Sequence, residues 1–132
     1  MVARSNSATD GYLFYIGVGD INFGIKCTGQ SFRAKATSLP TLGVWTHYIM
    51  TWGSNNIELF VNNVSAGTQS TTGTITNYTT DLILGANSSD TSSSRLNGAL
   101  DDVRIYDRVL TATERAAIYA YTEDASSSSS SV

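Results

Sequence analysis

Apolar and polar residues alternate over most of the chain, in short runs broken by Gly, Asn, Asp and Ser. The richest run is Trp45-Thr46-His47-Tyr48-Ile49-Met50-Thr51-Trp52. Side chains alternate along a strand, so Trp45, His47, Ile49 and Thr51 share one side, and Tyr48, Met50 and Trp52 the other. Both sides are apolar or bulky. The pattern therefore predicts the most deeply buried strand of a β-sandwich, covered on two faces, with Trp45 and His47 as structural residues. Gly53-Ser54-Asn55-Asn56 turns the chain into a strand from Ile57 to Val61. Asn62-Asn63 then supplies the left-handed pair that a two-residue hairpin demands, and Val64 to Gln69 is predicted to run back beside 57–61.

The same reading places strands at Tyr12 to Val18 and Ile21 to Cys27, joined by a reversal at Gly19-Asp20. Thr28-Gly29-Gln30 turns the chain again. From Ser31 to Ala36, Phe32, Ala34 and Ala36 alternate with Ser31, Arg33 and Lys35, the half-buried strand pattern. Leu39 to Gly43 is a loop that keeps the only proline outside the sheet. Ser70 to Thr80 fits a strand or a loop. Asp81 to Gly85 reads as a short strand, Ala86 to Arg95 as a loop, and Leu96 to Tyr106 as the last long strand. Thr111-Ala112-Thr113-Glu114 fits a capping box, and the alanines that follow favour a helix through about Tyr121 with Ile118 as its main apolar contact. Ser126 to Ser131 is a low-complexity tail that cannot fold alone, although a neighbouring chain is a candidate to hold it. Residues 1–121 form the domain on this reading, and 122–132 the tail.

Composition changes the picture in four ways. A chain of 132 residues is one domain with room for a core without staples. Ser, Thr and Asn make up about a third of it, which suits an all-β protein with polar turns and is common in proteins that face the outside of a cell or particle. The net charge of −3 and the lack of any Lys/Arg run argue against a nucleic-acid groove. Cys27 is the only cysteine, so no intrachain disulfide forms, and its habit is that of a small buried apolar residue. The sequence has no apolar run long enough for a membrane span and no signal-peptide core in its first residues, so export would use another route or a longer precursor.

Four segments in order now resemble a known family. Gly43-Val44-Trp45-Thr46-His47-Tyr48, Ile57-Glu58-Leu59-Phe60-Val61-Asn62-Asn63, Leu82-Ile83-Leu84-Gly85, and the stretch from Leu96 to Thr111 with its Leu-Asn-Gly-Ala-Leu-Asp-Asp-Val-Arg-Ile-Tyr-Asp-Arg pattern are similar to the laminin-G-like branch of the concanavalin A-like jelly rolls. The resemblance covers roughly residues 40–121 and, more loosely, 10–39. It implies an all-β, antiparallel two-sheet β-sandwich of the jelly-roll type with one short C-terminal helix. There are two departures. Asn62-Asn63 stands where the family usually has Asp-Gly. The family also opens with an apolar strand beside the closing strand, of which Met1-Val2-Ala3-Arg4 resembles only the tail. The edge at 96–106 is therefore expected to be filled by another polypeptide, a rearranged terminus or further residues.

Candidate chemistry is sparse. His47 is the only histidine and has no Gly-flanked nucleophilic Ser beside it, so packing is its expected role. Glycoside hydrolysis needs two carboxylates facing each other across a cleft. The related glucanases present them in an E-x-D-x-E strand, and this chain has no such run, so no catalytic residue is assigned. Alternation puts Asp101 on the face of Val103 and Ile105, the expected core side, where a carboxylate needs loop amides or a metal. Related domains often carry calcium at the rim; Asp101, Asp20 and Asp81 are the candidate ligands, with Asp90 and Asn87 as further donors. Arg104 and Arg108 read as solvated partners of Asp102 and Asp107. Tyr12, Tyr78, Tyr106 and Trp52 could stack on sugars or simply pack.

Two functions follow. The first is a non-catalytic, surface-exposed adhesion module recognising a glycan or surface protein at its loop rim, with Tyr78, Asn87, Asp90 and Arg95 as contacts, or on its concave sheet. The second is a structural or decoration protein of a phage or virus particle or other extracellular assembly, completing its sheet with neighbouring chains. Both place it outside the cell or on a virion, with no nucleic-acid partner and no membrane insertion.

Overall fold

The structure, a computed structural model, describes residues 2–4, 11–27, 30–75, 81–86 and 95–129. Among them are strands β1 (Val2–Arg4), β2 (Gly11–Ile16), β3 (Ile21–Cys27), β4 (Gln30–Ala36), β5 (Tyr48–Gly53), β6 (Asn56–Val61), β7 (Val64–Ser70) and β8 (Ile83–Leu84), and helix α1 (Ala112–Ser129). The strands form two antiparallel sheets, one ordered β4-β3-β2-β1-β8 and the other β5-β6-β7. Ile21, Phe23, Ile25 and Cys27 of β3 and Ala34 and Ala36 of β4 meet Ile57 and Leu59 of β6 in one core. This is the two-sheet sandwich with a closing helix that the alternating pattern predicts.

Turn chemistry sets the registers. Ser54 and Asn55 between β5 and β6, and Asn62 and Asn63 between β6 and β7, all have positive φ, at 50°, 57°, 48° and 61°. Two left-handed residues in a row give the tight reversal whose twist matches the strands. Gly17 donates its amide to the Asp20 carbonyl (2.8 Å) to reverse β2 into β3. Between β6 and β7 the register shifts at Leu59/Phe60, a bulge. Beyond that bulge, β7 lies so close to β4 that a Cβ on Gly67 would run into the Lys35 carbonyl, which closes one side of the sandwich.

Several expectations are corrected. β5 is an edge strand with half-buried residues, and β3 and β6 take the buried positions. Trp45 lies outside the ladder and is 63% exposed. The cause is register. Tyr48 pairs with Val61, and a reciprocal clasp follows in which His47 N donates to Asn62 Oδ1 and Asn62 N to the His47 carbonyl, both 2.9 Å. There the partner strand turns back, so residues 44–46 lie beyond the ladder, and Val44 N donates instead to the Thr41 carbonyl at 3.2 Å. Val2–Arg4 pairs with β2 and β8, not with the segment from Leu96 to Tyr106. That segment forms no strand. The helix continues past Tyr121 to Ser129, because no Gly or Pro interrupts it and propagation adds one hydrogen bond per residue.

Candidate functional site

Residues 96–109 cross from the end of β8 in the first sheet to the end of β5 in the second. At the start of this crossing Ala86 and Arg95 bridge, and Leu96 N donates to the Gly85 carbonyl at 2.7 Å. At the other end Leu110 is buried, and the helix start locks the chain. Thr111 N donates to Glu114 Oε2 (2.8 Å), Glu114 N to Thr111 Oγ1 (3.3 Å), and Arg108 grips the Glu114 carboxylate through both terminal nitrogens (2.9 and 2.6 Å). The Arg108 guanidinium, then the Thr111 amide and hydroxyl, pull the Glu114 pKa down to about 2. Arg108 thus pairs through hydrogen bonds with Glu114, where Asp107 was the expected partner. The capping-box spacing was the signal for it.

Between these anchors the chain forms no strand and has no ladder partner among the described residues. Val103 and Ile105, expected on a core face, are exposed, as are Leu100, Tyr106 and Val109. Val109 reaches the second sheet, where a Cβ on Gly53 would meet its Cγ2 at 2.5 Å. Asp101 is exposed too, and its Oδ1 accepts the Asp102 amide at 2.8 Å. Asp102 has φ 50°, and its carboxylate accepts Arg104 Nε at 2.7 Å, the ion pair the spacing predicts. The core side of this segment is therefore replaced by solvent.

The calcium candidates are dispersed. Asp20 accepts Asn22 Nδ2 (2.6 Å) and pairs with Lys35 Nζ (3.2 Å); the Asn22 hydrogen bond, then Lys35, hold its carboxyl below the usual carboxylate range. Asp81 and Asp101 are exposed, and among the described residues no three His, Cys, Asp or Glu side chains come together to hold a metal. Asp90 and Asn87, the further donors, lie outside the described residues. Of the proposed glycan contacts, Arg95 is exposed beside Ala86, and Tyr78, Asn87 and Asp90 lie outside the described residues. His47 packs its ring against Tyr119 of α1, centroids 5.7 Å apart, while Arg115 lies 4.0 Å over Phe60. These two contacts seat the helix on the outer face of the second sheet; Ile118 is half-buried beside them.

Residues 1–114 match the family described as the concanavalin A-like lectin/glucanases superfamily. The chain belongs to that superfamily. As a concanavalin A-like, laminin-G-like jelly roll it shares its fold with the crystal structure of an S-layer domain-containing protein from Clostridium thermocellum ATCC 27405. The TM-score is 0.55 at 22% identity, over 89% of this chain and 66% of that one. The superfamily member thus spans just under two thirds of that chain. No curated protein matches it. The sequence of this concanavalin A-like domain has no carboxylates at period two, and its adjacent Asp101 and Asp102 are engaged with an amide and an arginine. No helix among the described residues is long and apolar enough to cross a membrane.

Proposed function

We propose that this domain is a building block of an extracellular assembly, joined to neighbouring chains by strand addition along residues 96–109. The observation that carries the reading is the segment's exposed apolar side chains, held at both ends and given no ladder partner between them among the described residues. A segment outside any ladder whose apolar side chains are exposed becomes a template for a further strand once Asp102 leaves its left-handed conformation and its amide leaves Asp101 Oδ1. The fold it shares with an S-layer domain-containing protein supports an extracellular setting. The test is binding of a synthetic Val/Thr-alternating strand peptide, followed by anisotropy. The peptide binds the native domain, and Ile105→Pro, which removes one ladder donor, abolishes that binding. Failure of any strand peptide or protein chain to protect amides 97–107 from exchange overturns the reading.

A second reading, glycan recognition, is favoured by one feature: Arg95 is exposed beside Ala86 in a chain that belongs to a superfamily of lectins and glucanases. Glycan-array binding lost on Arg95→Ala would support it, and a blank array would count against it.

A further inference from the structure

Residues 96–109 carry a charge pattern as well as an apolar one. Asp102 and Arg104 are two apart, so in an extended strand they share a face, with Leu100 and Tyr106 just outside them. In the present conformation the two charges close on each other at 2.7 Å, with Asp102 at φ 50°, a region L-residues enter at a cost. We propose that this segment pairs antiparallel with the same segment of a second copy of the chain, about a two-fold axis through Val103 perpendicular to the sheet. The proposal rests on the assembly reading above and names its partner.

The argument is charge complementarity. A two-fold at Val103 sets Asp102 opposite Arg104 twice over, Leu100 opposite Tyr106, and Val103 opposite itself. Moving the axis one residue toward the C-terminus sets Arg104 against Arg104 and Asp101 against Asp107. Moving it one residue the other way sets Asp102 against Asp102. Each of these neighbouring registers opposes like charges, so the pattern selects one. Pairing releases Asp102 from the left-handed region, exchanges the two internal ion pairs of the two chains for two across the interface, and covers Leu100 and Tyr106, both exposed in the single chain.

The test uses the whole chain. Val103→Cys forms a disulfide-linked dimer on mild oxidation, because directly opposed residues stand about 4.5–5.5 Å apart at Cα, within disulfide range. Cys27 is buried and leaves the background clean. Ile105→Cys, opposite Asp101, does not cross-link. Asp102→Arg alone and Arg104→Asp alone each weaken dimerisation by roughly tenfold, since both oppose like charges twice. Mixing the two variants restores a heterodimer, which an unfolded variant could not do. A dimer that tolerates both reversals, or that fails to cross-link at position 103, overturns the proposal. A chain monomeric at every concentration that still binds the strand peptide overturns it too, while leaving the assembly reading intact. A chain that does neither overturns both.

Discussion

Leu59 and Trp45 have opposite fates that their hydrophobicity alone does not separate. Leu59 is wholly buried between the sheets, and Trp45 stands beyond the last cross-strand pair of its hairpin. Leu59→Ala is expected to cost about 2–5 kcal/mol, the sum of lost transfer energy and a cavity. Trp45→Ala is expected to stay within about 0.5 kcal/mol of the parent, as a surface change does. Urea denaturation of both variants checks the contrast. Gly67 is the third position of this kind. Alanine there meets the Lys35 backbone, which cannot swing aside as a side chain does, and should cost about 1–3 kcal/mol through overpacking. A Gly67→Ala variant with an unchanged urea midpoint would show that β7 does not press on β4.

Among the elements, the start of α1 is the most sensitive to acid. Glu114 has its pKa lowered from 4.5 to about 2 by Arg108 and Thr111, so its folded form binds a proton less readily than the unfolded chain. The stability it contributes is complete above about pH 4.5 and is lost as pH falls toward 2. Asp20, lowered by Asn22 and Lys35, acts in the same direction. Glu114→Gln is therefore expected to flatten much of the acid limb of a melting-temperature profile without removing it. Thr111→Ala, which takes away the capping hydroxyl, should cost about 1 kcal/mol at neutral pH. The capping box was legible from Thr111 and Glu114 alone because both partners lie within four residues. The helix–sheet contacts of Tyr119 with His47 and Arg115 with Phe60 were not, because they join residues far apart in the chain. In the same way the Asn62-Asn63 hairpin could be read locally, whereas the loss of the strand from Leu96 to Tyr106 depended on which backbone stood beside it.

Across the whole molecule the sandwich is closed along β4 and β7, and residues 96–109 cross from one sheet to the other. Amide exchange should be slowest in β3 and β6, each paired on both sides, and fastest between residues 97 and 107. Mass-spectrometric exchange of the chain diluted until it is monomeric tests that order, and equal protection of 97–107 and β6 would contradict it. The alternation of apolar and polar residues, the left-handed Asn turns and the capping box by themselves determined that the chain is an antiparallel sandwich with a terminal helix, because each acts over a few neighbouring residues. Only the tertiary structure decided which strands lie at the edges, that Trp45 faces solvent, that Asp20, Asp81 and Asp101 do not come together, and that the closing segment forms no strand with any described residue. A local pattern specifies which side chains can be buried. Burial itself requires a second surface, and that surface is supplied by residues distant in sequence.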